Sequence, residues 1–348
     1  MKQMIPLTVA VLAVLTMTGC ALFEGSGARG ARDRTAATTA VPRARPDADS
    51  PDVPSDTLPH YEPLASLSGN INSIGDATTT NLAARAITEF RRIYPGVTHN
   101  ATAGLTSIGA AALLAGKADI VPMSRPLTPA EIAPFQKKYG YAPTEIKIAA
   151  DALAIYVDKR NPLPSLTLQQ LDGIFSRTQL RGGKPIETWG DAGLGGDWAT
   201  RPIMLFGYGP GDGVHQTFRQ LVLEGGEFRP SLRYEPAGSS IVQGVAADPE
   251  AIGCASVFFA SRRVRAVPVA GTDGEFYAPT AENVRTQKYP LTRFLSICVN
   301  KPPNRPLPPA TAEFLRFLIS AEGQQLIVAG GHVRLDAQTA AQGRRAIE

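Results

Sequence analysis

The stretch TSIGAAALLAGKADIVPMSRPLTPAE, residues 106–131, decides how the chain folds. Its first part opens on two hydroxyls and runs on in small apolar residues, which reads as a closely packing helix. ADIVPM follows as a short strand. TPAE then starts a second helix, with Thr128 as N-cap, Pro129 at the first helical position and Glu131 placed to complete a capping box. Helix, strand and helix in so short a span is the alternation of an α/β chain.

The same alternation extends in both directions. Upstream, LSGNINSIG reads as a strand closing on Gly75, after which Thr78 to Thr80 can cap a helix carrying Leu82, Ala86, Phe90 and Ile93 on one face. Downstream, IKIAADALAIYVD is a long apolar strand, and TLQQLDGIF starts a helix at Thr167. A glycine-rich loop region with Trp189 leads to the strand PIMLFGYG. GSSIVQGVAADPEAIGCASVFFA gives helix, Asp-Pro turn and strand; YPLTRFLSICVN is another strand; TAEFLRFLISAEGQQLIVAGG closes the fold as helix. No internal repeat is visible.

At 348 residues and 43% hydrophobic, the chain is long enough for two lobes with large cores. The formal net charge of +4 comes without clustered Lys/Arg or interleaved aromatics, so nucleic-acid binding is set aside. Lys2 precedes the apolar run from Ile5 to Met17, too short for a comfortable membrane span and suited to a secretory signal over residues 1–19. Residues 20–60 are rich in Ala, Arg, Asp, Pro and Thr and read as a disordered tether, whose arginines can touch anionic lipid or simply be solvated. Cys254 and Cys298 both sit in apolar strands, where a disulfide and two buried thiols fit equally well. No CxxC is present and the four histidines are scattered, so neither a metal site nor a cofactor is expected. GxSxG, HExxH and Walker A sequences are absent, and no enzyme is expected.

Three helix openings share one design. Thr78 to Thr80, Thr106 with Ser107, and the turn of FGYGPGDGVHQTF (residues 206–218) each follow a strand. Helix N-termini carry unpaired N–H groups and partial positive charge, so several converging on one cleft can hold an anion without a lysine. Each alone is as readily an ordinary cap, and Asp212 in particular is a favoured N-cap residue.

With these residues in place, the chain resembles the phosphate-type substrate-binding proteins of bacterial ABC transporters, a type II periplasmic-binding fold. The resemblance covers about residues 67–335 and rests on GDATTT, GLTSIGAAALLAGKADIVPMSRPLT, LTLQQLDGIFS, ETWGD, AIGCASVFF, YPLTRFLSICVNK and EFLRFLISAEGQQLI, in that order. It implies an α/β, two-lobed type II periplasmic-binding-protein fold with crossover hinge strands. Lobe one is then about 66–152 plus 275–345, and lobe two about 153–274. Thr78, with Thr79 beside it, matches the first-loop hydroxyl, and Thr106, with Ser107 beside it, the second. Ser124 stands where many members have an aspartate. Arg125 can reach the cleft but is expected to pair with a surface carboxylate, and Arg293 is expected to be structural at the lobe boundary. MTGC resembles a lipobox, which implies cleavage before Cys20 and lipidation of its thiol; an ordinary signal peptide is the alternative. Ala21 then suggests an outer-membrane destination.

Lobe two departs from the pattern. The family's arginine, the aspartate two residues on and the Ser-Gly-Thr helix start read here Tyr208, Pro210 and Asp212-Gly213-Val214, and only Gly213 survives. A hydrogen bond to a charged group is worth roughly 1.5–3 kcal/mol. Losing the arginine and two hydroxyls thus weakens phosphate by about three orders of magnitude, absent compensation. Tyr208 can meet a ligand or pack at the rim, and His215 is expected to be exposed. The expected function is a monomeric, lipid-anchored solute-binding protein on the periplasmic side of the envelope, serving an ABC permease with phosphate. The alternative is a relative that has lost tight phosphate binding, takes another small solute, neutral or amine-bearing, or acts as an envelope interaction or sensor module.

Overall fold

A computed structural model describes residues 58–348. The signal run, Cys20, Ala21 and the tether as far as residue 57 lie outside the described residues. From Leu58 onward the chain is packed rather than tethered. Leu58 is buried, Pro59 O accepts from Ala321 N at 3.0 Å, and the Tyr61 hydroxyl meets that of Tyr94 at 2.9 Å.

In chain order the elements are β1 (Ser68–Asp76), α1 (Ala77–Ile93), β2 (Gly96–Gly104), α2 (Thr106–Ala115), β3 (Val121–Met123), α3 (Pro129–Tyr139) and the long β4 (Thr144–Asp158). There follow α4 (Leu168–Phe175), β5 (Met204–Tyr208), α5 (Gly213–Leu221), β6 (Arg233–Glu235), α6 (Gly238–Ala247), β7 (Ala251–Ser256), β8 (Val264–Val267), β9 (Val269–Ala270) and β10 (Phe276–Tyr277). The chain closes with α7 (Ala281–Arg285), β11 (Thr292–Val299), α8 (Pro309–Leu318), α9 (Ala321–Ala329) and α10 (Ala337–Ile347).

Two large apolar cores form, and β4 belongs to both. Its first half pairs antiparallel with β11 through Ala152, and from Leu153 it pairs with β7. Ile146, Ile148 and Ala149 therefore join the first core with Phe90, Leu295, Phe314 and Leu318, while Leu153, Ile155 and Val157 join the second with Trp189, Phe218, Ile241 and Val267. A strand buried along nearly its whole length reads as a continuous apolar run, and this one is exposed only near its start.

Parallel pairing sets where the strands end. β1 and β2 run parallel in register, Gly75 opposite Ala103 and Asp76 opposite Gly104. The helices that follow them, α1 and α2, therefore begin side by side. A parallel bridge from Ser73 to Ile120 brings the end of β3 to the same edge. In the second lobe β5 is parallel to both β6 and β7, which gathers Tyr208, Glu235 and Ser256 at one edge. In open parallel sheets that carboxyl-terminal edge is where ligands bind.

The C-terminal helical stretch is two helices. Gly323 lies so close to Phe317 O that any Cβ there would collide with it, and Ser320 caps the new helix by accepting from Gly323 N at 3.3 Å.

Candidate functional site

The cleft is built from the ends just described. At the start of α1 the cap is Asp76, not the threonines: Asp76 Oδ1 accepts from Thr79 N at 3.0 Å and from Thr79 Oγ1 at 3.1 Å. Thr78 is exposed at the helix start, while Thr79 is buried against Asp76. Asp76 was missed as a site residue although GDATTT contains it; an aspartate two residues before a run of threonines is itself a capping signal.

α2 opens differently. Its N-cap is Leu105, with no side-chain cap bond. Thr106 is 4% exposed, and its hydroxyl has no partner among the described residues. Ser107 beside it is exposed. α2 is held against β1 by Gly109, where an added Cβ would come within 2.5 Å of Ile74 O. A buried hydroxyl without a partner at an uncapped helix start is a donor waiting for an acceptor.

Ser124, directly after β3, gives its hydroxyl to Asp76 Oδ2 at 2.9 Å. Across from it stands Gly213, the first residue of α5, where any Cβ would collide with Ser124 Oγ. A larger residue there would force the Ser124 hydroxyl to turn away, at the expense of its bond to Asp76. Asp212 caps α5, its Oδ1 accepting from Val214 N at 2.7 Å. Burial, followed by the charge of Asp76, raises the carboxyl of Asp212 above the ordinary aspartate range, while the Val214 N–H and Arg293 oppose the shift.

Tyr208, at the end of β5, is 9% exposed, so it packs inward. A Cβ on Gly238 would meet its hydroxyl at 2.5 Å, which places Tyr208 beside the start of α6. His215 is half-buried, contrary to the expected exposure. Its Nδ1 lies 2.8 Å from Tyr208 O, and its ring packs 4.3 Å from that of Phe228. Burial lowers its basicity, and the ring props the end of β5.

Neither nearby arginine is available. Arg125 forms a fork onto Glu131, with both bonds at 2.8 Å. Arg293 pairs with Asp151 directly opposite on β4, Nε and Nη2 lying 2.9 and 2.8 Å from Oδ2. Its remaining Nη1 donates to Ser124 O at 3.1 Å. Asp151 also accepts from Ser256 Oγ at 2.6 Å, tying the hinge to the end of β7. Cys254 and Cys298 are both buried free thiols, in separate cores; burial pushes Cys298 up to about 12.

Helix starts, hydroxyls and backbone N–H groups from the two cores thus meet where Gly213 approaches Ser124, an arrangement suited to holding a small solute. The chain belongs to the PBP superfamily, whose domain matches residues 61–322. One relative, the phosphate-binding protein PstS of Pseudomonas aeruginosa, is 41% identical over 285 residues, 81% of this chain and 88% of the relative. Among solved structures, an ABC-type phosphate transport receptor from Vibrio cholerae is similar at TM-score 0.63 and 23% identity, over 76% of this chain and 99% of that one. PstS from Borrelia burgdorferi is similar at TM-score 0.57 and 19% identity, over 77% and 100%. These two likenesses concern the fold. No described helix is long and apolar enough to cross a membrane.

Proposed function

We propose that the protein is the solute-binding component of an ABC importer and that its ligand is an oxyanion, with phosphate first. The observation that carries this reading is Thr106. Its hydroxyl, buried and without a partner among the described residues, stands at the uncapped start of α2, beside the start of α1. The relative at 41% identity, a phosphate-binding protein, supports the choice of ligand. Function is then binding and lobe closure, with no covalent step and a permease as the receiving partner. Lobe one comprises about 66–152 plus 275–345 and lobe two about 153–274; Thr78, Thr79, Thr106, Ser107, Ser124, Tyr208, Asp212 and Gly213 line or shape the cleft between them. The signal and lipobox reading adds export, lipidation at Cys20 and a monomer held on the periplasmic side of the envelope, at the outer membrane if Ala21 directs sorting.

A second reading has its own observation. The lobe-two helix start is occupied by a carboxylate, Asp212, bonded to Val214 N, and both cleft arginines are paired. A neutral or amine-bearing solute suits that half of the cleft better than a dianion. Calorimetric titration of the purified protein, freed of bound solute, with inorganic phosphate separates the two. Binding at roughly micromolar or tighter is expected; silence up to about millimolar removes a high-affinity phosphate carrier and favours the second reading.

A further inference from the structure

Strand direction gives the first core two ends. β1 and β2 start side by side, Ser68 opposite Gly96, and α1 delivers the chain to that start, where Val97 N donates to Tyr94 O at 3.0 Å. β3 shares the direction of β1 through the Ser73–Ile120 bridge. β11 runs antiparallel to β3 and to β4, with Val299 opposite Thr144. The start of β4 and the loop after β11 therefore lie at this same end, away from the one where α1 and α2 begin. The ends of α2 and α3 join them. Lys138 Nζ and the Tyr139 hydroxyl donate to Leu114 O at 2.6 and 3.2 Å, and the Tyr141 hydroxyl donates to Asn300 Oδ1 at 2.7 Å.

Basic side chains gather here. Lys117 follows α2, Lys137 and Lys138 lie in the last turn of α3, and Lys301 and Arg305 belong to the loop after β11. All but the half-buried Lys301 are exposed, and none forms an ion pair among the described residues. The carboxylates Asp119 and Glu145 are engaged from within, accepting from Asn72 N at 2.8 Å and Ser296 Oγ at 2.7 Å. A lysine near a helix end balances the negative pole of that helix; Lys301 and Arg305 stand in no helix, so helix ends do not account for the cluster. The described chain also joins the fold here: Leu64 N donates to the Tyr94 hydroxyl at 2.7 Å, and the Tyr61 hydroxyl meets it at 2.9 Å.

Resting on the lipid-anchored reading above for what lies before the described chain, we infer that this end of the first core is a docking face for an anionic lipid surface. Lipid phosphates are the acceptors for the five cations. Each Lys or Arg near an anionic leaflet is worth about fivefold in partitioning, and the attraction acts within a screening length of about 8 Å. Tyr139 and Tyr141, half-buried rings with polar tips, are the side-chain type that sits at headgroup level. The opposite end of the core, with Asp76, Thr106 and Ser124, then points away from the lipid, toward incoming solute.

The test is lysine footprinting of the full chain, isolated in detergent and reconstituted on vesicles of phosphatidylcholine alone or mixed with phosphatidylglycerol at roughly three to one. A membrane-impermeant acylating reagent and mass spectrometry read each lysine. Labelling of Lys117, Lys137 and Lys138 is expected to fall about threefold or more on the anionic vesicles. It is expected to recover in about 1 M salt, where the screening length shrinks to about 3 Å. Lys159 and Lys184, exposed beyond β4, are expected to label alike on both vesicles; arginines of residues 20–57 can hold the chain near lipid but do not select one end of the fold. The triple change Lys117→Glu, Lys137→Glu and Lys138→Glu is expected to remove the protection of Lys301, and the same three positions changed to Gln serve if that chain does not fold. Equal labelling of every lysine on both vesicles, with the chain bound, would overturn the inference and leave the anchor standing. Loss of the wild type from neutral vesicles alone, with protection kept on anionic ones, would overturn the anchor and leave the docking face. Loss from both would overturn the two together.

Discussion

Thr106 makes a pair of opposite demands on the molecule. Its hydroxyl is buried with no partner among the described residues, a condition that costs about 1–3 kcal/mol of desolvation. Thr106→Val removes the unpaired group at nearly constant shape, so unfolding in urea is expected to show unchanged or slightly raised stability, by up to about 1 kcal/mol. Phosphate affinity is expected to drop about tenfold or more, since one bond to a charged ligand is lost. A purely structural threonine would show no loss of affinity. Thr106 was legible as a site candidate from the hydroxyl at a helix opening. Its missing partner was not, because sequence does not show which side chains a fold leaves unsatisfied. Asp76 illustrates the converse: its role as the α1 cap was hidden by three threonines that looked equally able to cap. His215 was misjudged because its ring is covered by Phe228 and Tyr234, which the chain beyond α5 folds back against it.

Among the elements, α3 followed the local rules most closely. Thr128, Pro129 and Glu131 predicted its start, and both bonds of the capping box are present, Glu131 N to Thr128 Oγ1 at 3.3 Å and Thr128 N to Glu131 Oε2 at 2.8 Å. The Arg125 guanidinium holds the Glu131 carboxyl down to about 2, ahead of the opposing effect of burial. Because the folded value lies below the ordinary glutamate range, Glu131 stabilises the fold fully above the unfolded value, near about 4.3. That stabilisation is lost as pH falls through the folded value. Glu131→Gln is accordingly expected to be less stable than wild type at neutral pH, with the difference shrinking toward about pH 2 in acid-titrated unfolding followed by circular dichroism. β2 escaped sequence reading because its pattern is mostly exposed; what makes it a strand is its parallel partner β1, a tertiary effect. The short elements β6, α7 and β8 to β10 go unread because two to five residues carry too little pattern, and α8 and α9 read as one helix because nothing local marks how near Gly323 lies to Phe317.

At the scale of the whole molecule, the α/β alternation and the long apolar β4 were plain in the sequence, and they account for the two-core plan. What the sequence left open is how the cores are tied, which rests on side chains far apart in the chain. Arg293 and Asp151 are 7% and 0% exposed, and Ser256 joins them from the second lobe. Breaking a buried ion pair by removing one partner typically costs about 3–5 kcal/mol, because the other charge is left without compensation. Arg293→Met is expected to lower unfolding free energy by about that amount in urea titration, and restoring neutrality with Asp151→Asn in the same chain is expected to recover part of it.

Both ends of the described chain leave from the same lobe. Residues 58–61 dock on α8 and α9 through Pro59 O, the His60–Glu322 contact and Tyr61. At the other end, α10 buries Ala340 and Ile347 in the first core. The second core is thus built chiefly from one long excursion of the chain, Leu153 to Leu291, entered at the middle of β4 and left before β11. A label placed at either end of the described residues is therefore carried by the first core. A pair of dyes at the two ends would therefore sit at a fixed distance however the jaws move, and an optical reporter of solute capture has to carry one of its labels on the inserted lobe.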